Sequence, residues 1–175
     1  MADFDKYATA LKSWEGGFAC DPADAGGATN KGITIGTFQQ YINPNATVND
    51  LRNMTDAQWR LIAKGCFWDK CKADKINNQS VAELIVDWCF NSGVGMIKKV
   101  QGIVGTKADG VVGPLTLNAI NNNPNQKRLH YLIKSARAAY FADCVKNRSQ
   151  NLKFYDGWIN RLAALEYGRS MEVHR

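Results

Sequence analysis

The order of apolar and polar positions predicts a chain made mostly of α-helices. The first helix is the clearest case, because apolar side chains recur at helical spacing from Phe4 to Trp14 and predict one buried stripe. Glu15 follows at the edge of that stripe, and the pair Gly16-Gly17 ends the helix. We therefore expect the Glu15 carboxylate at a helix C-terminus, on the interior side.

Further helices are predicted from capping boxes, from a proline at a first helical turn, or from apolar periodicity. Their expected positions are residues 37–42, a stretch after Thr47, residues 55–63, residues 80–90, a short helix around Val100, a helix beginning at Pro114, residues 123–146, and residues 156 to about 168. No strand pattern of any length is visible, so the expected fold class is all-α. A boundary near residues 93–95 divides the chain into two closely packed regions, residues 1–95 and 96–175.

Composition narrows the classes of function. The net charge of +6 and the pI near 9.1 favour polyanionic partners, but Lys and Arg form no block typical of a nucleic-acid interface. We expect no nucleic-acid partner and no membrane insertion, since no apolar run approaches the ~18 residues of a span. An odd number of cysteines without a secretion signal predicts reduced thiols. With two histidines in the chain, we expect no metal site and no cofactor.

Glu15 is the first candidate for chemistry. The negative end of the helix dipole and the apolar neighbours Trp14 and Phe18 both disfavour ionisation, which raises the pKa of a carboxyl group. A raised pKa is what a general acid requires. The alternative from composition alone is an ordinary surface glutamate.

The loop after Glu15 carries further polar candidates. Asp24, or Asp21 before it, could supply the second carboxylate of a glycosidase. Both aspartates also fit ordinary turn chemistry. Thr29, Asn30 and Thr34 could position water or sugar hydroxyls, or could bind the amides of their own loop.

A polar stripe crosses the helix predicted at residues 80–90. Glu83, Asp87 and Asn91 recur every four residues on an otherwise apolar helix, so one face could line a substrate groove. The capping-box pattern explains Glu83 on its own. Asp87 and Asn91 stay candidates for substrate binding.

These motifs together resemble the glycoside hydrolase family 108. The segment WEGGFACDPADAGGATNKGIT, from Trp14 to Thr34, is similar to the N-terminal signature of that family, and DWCFNSG, from Asp87 to Gly93, is similar to its Asp-x-x-x-Asn-x-Gly helix end. The segment VQGIVGTKADGVVGPLTLNAI and the later FYDGWINR resemble the partner module of the family, a predicted peptidoglycan-binding domain.

The resemblance implies a lysozyme-like helical fold that cleaves the β-1,4 bond between N-acetylmuramic acid and N-acetylglucosamine. The catalytic glutamate of the family maps onto Glu15. Asp24 and Thr34 resemble the corresponding positions of phage lysozymes and are expected to be catalytic as well. Phe18 stands where the family usually has Tyr, so the position retains stacking and loses a hydroxyl.

The resemblance also implies partners and a place of action. Peptidoglycan glycan strands are the expected partner, and the C-terminal region is expected to grip them. Synthesis in the cytoplasm, release through a holin-like pore or by lysis, action on the cell wall and a monomeric state are the further expectations. The rival interpretations are a lytic transglycosylase, which forms a 1,6-anhydro product, and a non-catalytic wall-binding or secretion-assisting protein.

Overall fold

A computed structural model describes residues 1–14, 16–20 and 27–169 of the 175-residue chain. The described helices are α1 (Phe4–Trp14), α2 (Ile35–Tyr41), α3 (Val48–Arg52), α4 (Asp56–Ala63), α5 (Gln79–Ser92), α6 (Ile97–Ile103), α7 (Pro114–Asn121), α8 (Gln126–Asn147) and α9 (Leu152–Ala164). The described strands are β1 (Phe18–Ala19), β2 (Thr29–Asn30) and β3 (Ile33–Thr34). The predicted mostly helical class is confirmed.

Local capping sets most of the helix starts. The side chains of Thr47 and Thr55 each accept a hydrogen bond from the backbone N–H three residues later. In return, the backbone N–H of each threonine donates to the side chain of that later residue, Asp50 or Gln58, so α3 and α4 begin with capping boxes. Pro114 occupies the first turn of α7, as predicted. The observed α9 begins at Leu152, four residues before the predicted start.

The start of α5 differs from the prediction. The capping box expected at residues 80–83 does not form; instead the side chain of Asn78 accepts the backbone N–H of Val81 and caps the helix. Glu83 therefore lies within the helix, where its carboxylate accepts a hydrogen bond from Gln79 Nε2 at 2.7 Å. An asparagine immediately before an apolar helix competes well with a serine two residues later.

A small antiparallel sheet was not predicted. Its three strands pair in the order β1-β2-β3 and contain two residues each, too few to show an alternating pattern. The turn between β2 and β3 places Lys31 and Gly32 at φ of 46° and 75°. Two positive φ values in succession are typical of a two-residue hairpin turn. The Trp59 indole donates to the Lys31 carbonyl oxygen at 3.0 Å and holds this turn.

Helix α5 forms the centre of the core. Its residues 80–89 are all buried, and α8 packs along it while α9 packs against α8. The largest wholly buried side chains of the described residues include three indoles, those of Trp59, Trp68 and Trp88. Among the described helices, none combines the length and the hydropathy that a membrane span requires.

Helices α1 and α5 run in the same direction. Near their starts, the Asp3 backbone N–H donates to Gln79 Oε1 at 2.6 Å, and further along, the Tyr7 hydroxyl donates to Asp87 Oδ1 at 3.3 Å. From Tyr7, α1 continues seven residues to its last residue, and from Asp87, α5 continues five residues to its own. At about 1.5 Å per residue, the two C-termini lie abreast within about one helical turn.

Candidate active site

The two carboxylates expected to do the chemistry lie outside the described residues. Glu15 directly follows the end of α1, and Asp24 lies within residues 21–26. Their roles therefore stay predictions. The described residues define their neighbours in the chain: α1 before Glu15, and the strands β1 and β2 before and after residues 21–26.

The register of the sheet sorts the polar loop residues into two faces. Thr29 pairs with Ala19 on one side and with Thr34 on the other, so these side chains share one face. Asn30 pairs with Phe18 and with Ile33, and this row faces the core, where Ile33 is buried. The sequence grouped Thr29, Asn30 and Thr34 together, whereas the sheet separates the two threonines from the asparagine.

Thr34 caps α2. Its Oγ1 accepts the backbone N–H of Thr37 at 3.3 Å and lies 3.0 Å from the Thr37 hydroxyl. A hydroxyl offers one donor and two acceptor positions, so the two threonines together keep one hydroxyl hydrogen available for another partner. Thr34 is half-buried, and its catalytic role stays a prediction with which this hydrogen-bonding capacity agrees.

Asn30 and Phe18 hold the sheet to the rest of the region. The Asn30 Nδ2 donates to the carbonyl oxygens of Leu51 at 2.8 Å and Arg52 at 3.1 Å, which ties β2 to the end of α3. Asn30 is 5% exposed, so its amide lies on the core side. The Arg52 guanidinium lies 4.4 Å from the centroid of the half-buried Phe18 ring, a cation–π contact that fills one face of the ring.

Asp87 lies in a buried ion cluster instead of a groove. Arg161 Nη2 donates to Asp87 Oδ1 at 2.7 Å and Arg161 Nε donates to Oδ2 at 3.1 Å, while Arg137 Nη2 also lies 2.8 Å from Oδ2. Both Asp87 and Arg137 are 0% exposed. This position differs from the substrate-facing one expected from the stripe, because α8 and α9 cover that part of α5.

The cluster keeps Asp87 ionised. Burial acts to raise the pKa of Asp87, but Arg161 and Arg137 outweigh it and lower the pKa to about 2. Sequence reasoning noted Arg161 only as part of a motif and missed Arg137. The available signal was the spacing on α8, where Arg137 lies four residues from Ile133 and four from Phe141, both buried on the same stripe.

Glu83 and Asn91 mark the two ends of the polar stripe. Glu83 is 4% exposed, and burial, with Asp87 nearby, raises the pKa of its carboxyl group. Asn91 lies at the end of α5 and is exposed, with its Oδ1 accepting from Ser92 Oγ at 3.2 Å. Of the stripe, Asn91 alone faces solvent, on the side where α1 ends.

A second organised loop lies in the C-terminal region, between α6 and α7. The buried Gln101 amide donates to Asp109 Oδ1, to the Val111 carbonyl oxygen and to Thr116 Oγ1, and its oxygen accepts the Gly110 N–H at 2.8 Å. Gly110 has φ of +85°, a backbone conformation that glycine adopts without strain. One side chain therefore fixes the loop that the sequence singled out.

Each of the two regions of the chain matches the model of a known protein family. Residues 8–93 match the family model described as Glycosyl hydrolase 108. The N-terminal half belongs to the glycosyl hydrolase 108 family. Residues 94–163 match the model described as Predicted Peptidoglycan domain, so the resemblance found in the sequence is confirmed for both parts.

A solved structure shares the whole arrangement. The structure of SagA from Brucella abortus is similar over 93% of this chain and 90% of that chain, with 28% sequence identity and a TM-score of 0.79. Comparison with curated proteins gives no match. The glycosyl hydrolase 108 region makes the protein a glycoside hydrolase with a mostly α, lysozyme-like fold, and the peptidoglycan domain supports peptidoglycan as its partner.

The two family matches assign Asp87 and Arg161 to different regions of the chain. Asp87 lies in the glycosyl hydrolase 108 region, while both arginines that bind it come from the peptidoglycan domain. Each residue lies in a motif that the sequence had singled out separately. The buried ion cluster therefore joins the two regions.

Proposed function

We propose that the protein is an N-acetylmuramidase that cleaves the β-1,4 bond between N-acetylmuramic acid and N-acetylglucosamine. Glu15 acts as general acid and protonates the glycosidic oxygen. Asp24, or a water oriented by the loop, acts at the anomeric carbon, and Thr34 contributes its hydroxyl. The peptidoglycan domain holds the glycan strand at the cell wall after release of the protein from the cytoplasm.

The observation that carries the proposal is the common end of α1 and α5. Glu15 is the next residue after Trp14, at the end of a helix that buries Tyr7 and Leu11 in the core. Exposed Asn91 ends the parallel helix α5 on the same side. The negative end of a helix dipole favours the protonated form of a carboxyl group at that position, which is the form that a general acid needs.

The sheet supports the same site. Thr29 and Thr34 share its outer face, and the chain between the end of α1 and β1 contains only three residues, Glu15 to Gly17. At most about 3.6 Å per residue, so short a connection keeps this face near the end of α1. Substrate contacts are therefore proposed for Thr29 and Thr34 on this face and for Asn91. For Phe18, in the opposite row, we propose stacking through the ring face that Arg52 leaves free. We assign Asp87 and Asn30 to holding the fold.

The test is digestion of purified peptidoglycan by wild type and Glu15→Gln. General acid catalysis contributes about 10²–10⁴-fold, and the variant should lose activity by that factor with an unchanged melting temperature. Glu166→Gln is the matched control, since it makes the same chemical change at an exposed surface carboxylate. Full activity of Glu15→Gln overturns the assignment of the general acid.

Mass spectrometry of the released fragments separates the rival activities. Hydrolysis adds one water to each cleaved bond, whereas a lytic transglycosylase releases a 1,6-anhydro end of lower mass. Wild-type binding to peptidoglycan without fragments would instead indicate a wall-binding protein that keeps the fold. Asp24→Asn in the same assay shows whether the second carboxylate takes part.

A further inference from the structure

The net positive charge of the chain comes from its C-terminal part. Residues 1–93 contain nine Lys and Arg against eleven Asp and Glu, whereas residues 94–175 contain thirteen against five. The first part therefore carries a net charge of −2 and the second +8. Any anionic surface attracts the C-terminal part and leaves the glycosyl hydrolase 108 region free to face its substrate.

Three exposed cations lie together where α8 turns into α9. This α8–α9 corner, residues 144–155, contains the end of α8, a short 3₁₀ turn and the start of α9. Lys146, Arg148 and Lys153 are exposed, and the corner contains no acidic residue. The turn is fixed by Asn151, whose Nδ2 donates to the Cys144 carbonyl oxygen at 3.0 Å. Asp143 and Asp156 flank the corner on the outside.

The same corner exposes two large apolar side chains. Leu152 is 64% exposed and Phe154 is 49% exposed. The Phe154 ring stacks on Trp158, which in turn stacks on the buried Phe141, so an aromatic series leads from the core to the surface. The Lys153 ammonium lies 4.8 Å from the centroid of the Phe154 ring. The first turn of α9 therefore carries two exposed apolar side chains, one on either side of Lys153 in the sequence, and they point in different directions around the helix start.

The combination of exposed cations and exposed apolar side chains favours some anionic partners over others. A soluble polyphosphate engages the cations alone and gains little from exposed leucine and phenylalanine, and a glycan that stacks on Phe154 still leaves Leu152 without a partner. A lipid surface takes up both, because phosphate headgroups attract the cations while the acyl boundary takes the apolar side chains. Aromatic side chains with an adjoining lysine are typical of contacts at the headgroup level.

We propose that the α8–α9 corner docks the protein peripherally on an anionic phospholipid surface. Leu152 and Phe154 enter the boundary between headgroups and acyl chains, and Lys146, Arg148 and Lys153 contact the phosphates. The contact is reversible and involves no spanning segment. It is independent of the proposed muramidase activity, because no residue of the corner belongs to the candidate active site.

The experiment is sedimentation of the full chain with vesicles of phosphatidylglycerol and phosphatidylcholine in equal parts, compared with phosphatidylcholine alone. Binding to the mixed vesicles should be stronger and should fall as salt is added. Each cation near such a surface is worth about fivefold in affinity, so Lys146→Gln/Arg148→Gln should weaken binding by about 25-fold.

Two matched controls keep the test specific. Lys127→Gln/Arg128→Gln removes the same charge at the opposite end of α8, about 28 Å away, and should change binding far less. Leu152→Ser/Phe154→Ser should weaken vesicle binding by about tenfold or more, whereas Val111→Ser/Leu115→Ser, which alters two apolar residues that are at least as exposed, should not.

Some outcomes overturn the proposal. Equal binding to both kinds of vesicle, or wild-type binding by Leu152→Ser/Phe154→Ser, removes the lipid contact. Tight binding to soluble polyphosphate that Leu152→Ser/Phe154→Ser leaves unchanged, without vesicle binding, assigns the cations to a polymer instead. Peptidoglycan digestion by the same variants reports separately on the proposed muramidase.

Discussion

The sheet and the ion cluster use polar side chains in opposite ways. At the sheet, half-buried Thr34 is neutral and bonded to a residue three positions away. In the cluster, the wholly buried Asp87 binds Arg161, 74 positions away in the sequence. The sheet therefore keeps hydrogen-bonding capacity for an outside partner, whereas the cluster uses its capacity to join the two regions.

The largest effect on stability is expected when the cluster is broken. Asp87→Asn leaves two buried guanidinium groups without an opposing charge, which should lower the free energy of unfolding by about 3–5 kcal/mol. Urea denaturation at neutral pH measures the change, with Asp143→Asn as the same substitution on the surface. A loss below about 1 kcal/mol would show that the cluster does not hold the regions together.

His130, in the peptidoglycan domain, should make the stability of the protein depend on pH. Burial, with Lys134 nearby, lowers the pKa of His130 to about 4, whereas the unfolded chain binds the proton near pH 6.5. The folded state binds fewer protons between these values, so its stability is full above pH 6.5 and falls by up to about 3 kcal/mol toward pH 4. Denaturation of wild type and His130→Leu across this range measures the difference. An equally steep fall in the variant would contradict the assignment.

The smallest stability effect is expected at the sheet. Thr34→Ala removes the cap of α2 and should lower the free energy of unfolding by about 1 kcal/mol. Thr34→Asn retains a capping oxygen and lacks the hydroxyl, while Thr34→Ser retains both. If the hydroxyl acts on substrate, Thr34→Asn loses peptidoglycan digestion at nearly wild-type melting temperature. Equal activity of the asparagine and serine variants would show that Thr34 acts only as the N-cap of α2.

Much of the helical order could be predicted from local signals. The capping pattern at residues 55–58 gave the start of α4, and Pro114 gave the start of α7, because these signals act within one helical turn. The strands could not be predicted, since two residues are too few to show an alternating pattern and only their pairing defines them. The start of α5 was wrong because two plausible caps, Asn78 and Ser80, compete there.

The candidate site also has one part that the sequence predicts and another part that depends on packing. The motif around Glu15 predicted the family correctly, because an ordered set of residues is specific whatever the structure around it. Asp87 could not be placed from its spacing, since the period of a helix indicates which residues share a face and not which element covers that face. Only packing against α8 and α9 decides that Asp87 is buried while Asn91 is exposed.

The shared carboxylate has a consequence for anyone who recombines these modules. A cut between residues 93 and 94 follows the edge of the two family matches, yet it assigns Asp87 to one fragment and its arginines to the other. Each fragment would then expose to water charged side chains that are buried in the intact chain. Chimeras built from related chains should therefore exchange Asp87, Arg137 and Arg161 as a set, whatever the position of the splice.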